Sequence, residues 1–198
     1  MSKFSSLLDR IMKGDYQDAS SEQKEADLAE IKKVCSIAAA AVSFQPIPLV
    51  DSALIAPIQI GMVQAIARIH GHKLDRQSIL EMLSTFGASI LAQNAMMAAA
   101  KLIPIAGWLI SVSMAYALTW AIAEVSDHYF RTGRGASSAE LKDMFKRVYK
   151  SKKQEKQAEH KGNATLKDKL DQLKQARAEG LINDEEFEKK KEDVLAGF

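Results

Sequence analysis

The chain has 198 residues, 27 Lys and Arg against 25 Asp and Glu, and a formal net charge of +2, a length that allows one compact domain plus something smaller. Its single cysteine, Cys35, excludes a disulfide framework or a cysteine-built metal cage within one chain, and reads as a small buried apolar residue. The charge total is unremarkable but its placement is not. Across 34–123 the only full charges are Asp51, Arg68, Lys73, Asp75, Arg76, Glu81 and Lys101, which leaves two nearly uncharged blocks at 34–67 and 82–123 between charged ends.

In chain order, SKFSSLLDRIMK at 2–13 sets Phe4, Leu7, Leu8, Ile11 and Met12 at helical spacing. The apolar face of this short amphipathic helix is expected to dock on the main bundle, the alternative being a membrane surface. Residues 1–30 hold no apolar run long enough for a signal peptide, so the chain is expected to begin in the cytoplasm. Ser20 or Ser21 can cap a helix from Glu22, with Glu22, Glu25 and Asp27 near its positive end, that runs on into VCSIAAAAVSF. Pro46 and Pro48 stop it. Asp51 then opens SALIAPIQIGMVQAIARI, where its carboxylate is either a cap accepting from backbone N–H groups or an intramembrane functional acid. Pro57 kinks this arm or marks its true start.

Gly71 in HGHKLDR ends the second arm, with His70 and His72 solvated; two imidazoles without a third ligand make a poor metal site. Asp75 or Ser78 begins the third arm, ILEMLSTFGASILAQNAMMAAAK, whose Gln93 and Asn94 call for a face turned to another helix, with Met96 and Met97 as adaptable packing. After a bend at KLIPIAG, the fourth arm WLISVSMAYALTWAIAEVSDHYF closes near Gly133. Each block therefore reads as a helical hairpin with proline at its bend. The expected fold is all-α: two apolar helical hairpins forming a bundle, plus a small C-terminal two-helix module. The expected divisions are 1–33, an amphipathic helix and lead-in helix; 34–133, the hairpins; 134–163, a basic linker helix; and 164–198.

A spanning helix needs about 20 mainly apolar residues. The uncharged runs at 82–100 and 102–123 approach that length, whereas the first two arms are broken by proline or carry Gln59 and Gln64. Lys24, Lys32, Lys33, Arg68, Lys73, Arg76, Arg131 and Arg134 gather at the open ends of the hairpins, a positive-inside pattern. Membrane association is thus the leading reading, and a soluble bundle with inner helices apolar all round is the alternative.

From Ser137 a capped helix becomes a basic tract. Lys146, Arg147, Lys150, Lys152 and Lys153 are candidates for contact with anionic headgroups, or they belong to a solvated linker. No aromatic stacking or base readout accompanies them, so nucleic acid is not an expected partner. In LKDKLDQLKQARAEGLINDEEFEKKKEDVL, Leu166, Leu170 and Leu173 share a stripe, Gly180 ends the helix, and Asn183 caps a second one bearing Phe187, Val194 and Leu195. A hairpin this small is expected to self-associate or dock on a partner, through Leu166, Leu170, Leu173, Ile182, Phe187 and Leu195.

Residues 164–195, with EGLINDEEFEKKKEDVL and Gly180, Ile182, Glu186, Phe187 and Lys190 or Lys191 in place, resemble SHOCT, the short C-terminal domain of bacteria. That resemblance implies an oligomerisation or interaction element. PIPLVD, QIGMVQAIARIHGHKL and the run PIAG…YALTWAIAEVSDHYFRTG make 34–133 resemble the YcjF-type domain of unknown function, found in bacterial inner-membrane proteins and after Era-like GTPase domains. Neither family supplies catalytic residues. The chain lacks a GxxxxGK[ST] loop, so a GTPase would be a separately encoded partner. No nucleophile–base pair, cofactor motif or metal constellation is legible, and no enzyme is expected. The combined expectation is a membrane-associated homo-oligomer at the cytoplasmic face of the bacterial inner membrane, in contact with membrane lipid. The alternative is a cytoplasmic all-α interaction protein.

Overall fold

The computed structural model describes residues 3–43, 50–83, 107–162, 164–178, 180 and 182–196, with side chains omitted at 3, 50–54, 107–110, 160–162 and 164–168. Every element among these is a helix: α1 (Lys3–Lys13), α2 (Ser21–Ser43), α3 (Val50–Ile69), α4 (76–83, its described part), α5 (Gly107–Arg131), α6 (Ser138–Gly162), α7 (Ala164–Ala178) and α8 (Asp184–Ala196). The fold is all-α. The hairpin bends and most of the third arm, including Gln93, Asn94, Met96 and Met97, lie outside the described residues. The chain divides into two compact units, Met1–Lys153 and Gln154–Phe198.

Short-range chemistry sets the helix ends. The Ser20 hydroxyl accepts from the Gln23 N–H at 3.2 Å, the Asp75 carboxylate from the Ser78 N–H at 2.8 Å, and the Ser137 hydroxyl from the Glu140 N–H at 3.2 Å. Each satisfies one of the N–H groups that a helix start leaves without an intrahelical acceptor. At the far end of α3, Gly71 takes φ +80°, which lets the His72 N–H reach the Ala67 carbonyl at 2.8 Å and the Gly71 N–H reach Arg68 at 3.0 Å. This is a Schellman closure, and glycine enters that left-handed conformation without a Cβ penalty. Pro57 lies inside α3, so the second arm starts before it.

In the first unit α5 is the central helix. Residues 111–119 are buried without a break, as expected of a helix apolar all round. Helices α2 and α3 pack on α5 and on each other. The α2 face is made of Leu28, Ile31, Cys35, Ala39 and Ala40, and α3 contributes Met62, Val63, Ile66 and Ile69. Full burial of each large aliphatic side chain stabilises by roughly 1.5–3 kcal/mol. The polar exceptions are handled locally: the Gln59 amide donates to the Thr119 hydroxyl at 3.2 Å inside the core. Helix α6 folds back along α5, since Glu140 meets His128 at 2.7 Å and Lys152 lies 4.8 Å from the Trp120 ring centre. Its Leu141, Phe145 and Tyr149 enter the same core.

Among the described residues no helix is long and apolar enough to cross a membrane. The described part of the fourth arm thus falls short of the spanning length that its uncharged run approaches. The described uncharged part of α5, from Gly107 to Ala123, is ~25 Å long, against a hydrocarbon core of about 30 Å.

Helix α1 docks on α2 and α3 with Leu7 and Ile11 buried and Phe4 and Leu8 partly so. The contact depends on Gly61 of α3, where a Cβ would lie 3.1 Å from Leu8 Cδ2 and 3.6 Å from Phe4 Cζ. Alanine there gains helix propensity against a flexible neighbour and is expected to change stability by less than about 1 kcal/mol. Gly61→Leu overpacks the contact by about 1–3 kcal/mol and is expected to release α1. Limited proteolysis at 14–20 is the check: unchanged cleavage in Gly61→Leu would mean α1 does not rest on this contact.

The second unit is built on Leu170, Phe187 and Leu195, all buried. Asn183 and Glu186 form a reciprocal capping box at 3.0 and 2.8 Å, which starts α8 where the sequence places it. Phe187 also lies against two cations, Arg177 at 4.9 Å and Lys191 at 5.7 Å from its ring centre. Lys191 is itself only 2% exposed, its stem packing as an apolar chain while its ammonium bonds Glu188.

Candidate functional site

The densest cluster of ionisable groups lies where α2, the end of α3 and α5 meet. Asp127 is 4% exposed and accepts from Lys32 Nζ at 2.7 Å and Arg131 at 3.0 Å through one oxygen. Its other oxygen takes a bond from His70 Nε2 at 2.8 Å, since an ionised carboxylate can only accept. Lys32 also donates to Glu124 at 3.0 Å, and Glu124 accepts from the Trp120 indole at 3.1 Å. Burial pushes the Asp127 carboxyl up, but the hydrogen bonds from His70 and Lys32 and the charges of Lys32 and Arg131 outweigh it, so its pKa lies far below the usual carboxylate range.

Chemically this is a clasp, not a reacting centre. Asp127 accepts from three donors of the chain and is itself buried, which leaves it poorly placed as a base or a metal ligand. No group of three or more His, Cys, Asp or Glu that could hold a metal occurs among the described residues. The network was not legible in the sequence. His70 reads there as a solvated residue after α3; the structure instead places it part-buried on Asp127, because its N–H still bonds Ile66 in the last turn of α3 and that helix packs on α5. The usable signal was Glu124 and Asp127 themselves: two acids on an otherwise apolar helix need partners.

A second cluster fixes the N-terminal segment. Arg10 bonds Asp27 at 2.7 Å and Glu30 at 2.6 Å, the Tyr16 hydroxyl donates to Asp27 at 2.7 Å, and Arg68 donates to the Gly14 carbonyl at 3.0 and 3.2 Å. Burial first, then the bond to Asp27, push the Tyr16 hydroxyl well above its ordinary range. Cys35 is fully buried and its thiol is raised by burial, which makes it a packing residue. Three of the cations assigned from sequence to the open ends are therefore engaged by partners within the chain, the buried Lys32, the part-buried Arg68 and the exposed Arg131.

The residues singled out from sequence fall in three places. Asp51 lies in the first turn of α3, whose helix begins at Val50, and its side chain is outside the described set. On α6, Lys146, Arg147 and Lys150 are exposed and Lys153 is half-buried, whereas Lys152 turns onto Trp120. In the second unit Leu170, Phe187 and Leu195 are interior, while Leu173 and Ile182, with Ala176 and Val194, line a cavity of about 520 Å³ edged by Lys169 and Lys190. The Leu166 side chain lies outside the described residues.

Comparison with known proteins adds the following. Over 105 residues the chain is 29% identical to Magnetosome membrane protein 22 of Magnetospirillum gryphiswaldense, a match covering 49% of this chain and 54% of the relative. The chain thus spans about half the length of the curated relative it matches. No solved structure matches it. Residues 168–195 match the Short C-terminal domain, SHOCT, in agreement with the capped hairpin of α7 and α8. Residues 16–175 match a second family model, and the chain belongs to the family described as Domain of unknown function (DUF697).

Proposed function

We infer that the chain is a non-enzymatic, membrane-associated bacterial protein. Its first helical unit attaches at the cytoplasmic face of the inner membrane, and its C-terminal hairpin holds copies together or recruits a partner. The observation that carries this reading is the likeness over 105 residues to a protein named for a membrane. The internal bonding of Asp127 and Asp27 supports a role without chemistry, since both buried acids are engaged in holding helices. The open cavity beside Leu173 and Ile182 supports an assembly or docking role for the hairpin.

A second reading has its own support. Helix α5 is enclosed by protein over 111–119, which suits a soluble all-α interaction protein, a partner or regulator of a separately encoded GTPase. Fractionation of cells expressing the chain distinguishes the two: pelleting with membranes supports the first, and recovery wholly in the high-speed supernatant supports the second. Assembly is tested by deleting 164–198. Light scattering is expected to show a lower mass with helical content of the first unit retained; an unchanged mass would remove the assembly role from the hairpin.

A further inference from the structure

Helix α6 carries one surface whose charge no ion pair answers among the described residues. Lys142, Lys146, Lys150 and Lys153 recur at i, i+4, i+8 and i+11. At 3.6 residues per turn they fall within a strip of about 80°, on one flank of the helix and ~16 Å long. Lys142, Lys146 and Lys150 are exposed and Lys153 is half-buried. The buried side of the helix, Leu141, Phe145 and Tyr149, faces the core, so the strip is held at a fixed orientation.

No ion pair engages any of these four lysines among the described residues. Of the acids of the helix, Glu140 is bonded to His128 and Glu159 to Lys156, Glu155 falls on the opposite side of the helix, and Asp143 lies at the edge of the strip, three residues before Lys146, without an ion pair to it. Like charges spaced four apart weaken a helix, and surface helices ordinarily relieve this with acids at the same spacing. Here Asp143 alone stands at such a spacing to the ladder, so most of the repulsion is left standing and an anionic partner would complete the surface.

We propose that this lysine ladder is the face by which the first unit lies on an anionic lipid surface, with α6 parallel to the membrane plane. The proposal rests on the membrane-associated reading above and names the surface and the lipid class. Charge complementarity selects the occupant. Lysine offers a compact point charge suited to a diffuse negative plane, whereas specific phosphate or nucleic-acid recognition favours the bidentate fork of arginine and aromatic stacking, and the strip contains neither. Lys152 is not part of it, being committed to Trp120. Each ladder lysine is expected to strengthen binding about fivefold, and the attraction fades once salt shortens its range from about 10 Å at 0.1 M to about 3 Å at 1 M.

The test is flotation of the full chain on vesicles of phosphatidylcholine alone and of phosphatidylcholine with phosphatidylglycerol. The ladder variant replaces Lys142, Lys146, Lys150 and Lys153 by alanine. A charge-matched control replaces the exposed Lys33, Lys73, Arg76 and Lys189 by alanine, and circular dichroism verifies helix content in both. The expected result is flotation of wild type and control on anionic vesicles only, reversed by high salt, with the ladder variant left at the bottom. Equal flotation of the ladder variant overturns the ladder while leaving membrane association standing. Failure of the wild type on every vesicle overturns both. Ladder-dependent binding of a DNA or RNA probe without flotation would also overturn it.

Discussion

Replacing Asp127 by alanine is expected to lower the stability of the first unit by about 3–5 kcal/mol, because it removes one partner of a buried charge pair. Lys32, 8% exposed, would keep only Glu124, and His70 would lose its acceptor. Tryptophan fluorescence during urea unfolding reports on this unit specifically, since Trp108 and Trp120 both belong to it. A loss below about 1 kcal/mol would mean that the network is solvated and idle. The pH dependence has a definite sign. Asp127 is held below its unfolded pKa of about 3.9, so its contribution is complete above that pH and is lost as pH falls toward the folded value. Wild type should therefore weaken below about pH 4, and Asp127→Ala should lack that part of the acid response.

Phe145→Ala is expected to cost a similar ~3–5 kcal/mol, as a cavity replaces the largest fully buried side chain among the described residues. Phe145 stacks on Tyr149 at 6.1 Å and anchors α6 in the core. The loss should be local as well as global. Amides across 141–150 are expected to exchange faster with solvent, and the contact between Lys152 and Trp120 should loosen. Phe145→Leu, which keeps most of the volume, should cost clearly less. An unchanged urea midpoint in the alanine variant would show that α6 is not held through this residue.

What the sequence made legible was local. The Ser20 cap, the glycine closure at Gly71 and the Asn183–Glu186 box each involve residues a few positions apart, so their chemistry is written in adjacent letters. Helical spacing likewise placed Leu7 and Ile11 on a docking face and Leu170 and Phe187 on the stripes of the C-terminal hairpin. The clasp was out of reach because Lys32 and Asp127 are 95 residues apart, and only the packing of α2 on α5 brings them together. For the same reason Lys32 read as one more cation at an open end, and Lys152 as one more lysine in a basic tract. Charge type is visible in a sequence; whether a lysine finds an internal carboxylate or an indole face depends on the neighbouring helix.

The measurement that bears most directly on the central claim is flotation of the full-length chain with vesicles containing anionic lipid, followed by a high-pH carbonate wash. Membrane association through the ladder of α6 predicts that the chain floats and that carbonate then releases it as a peripheral protein. A chain that stays at the bottom of the gradient with every lipid composition would contradict it and leave the soluble interaction protein as the reading to pursue.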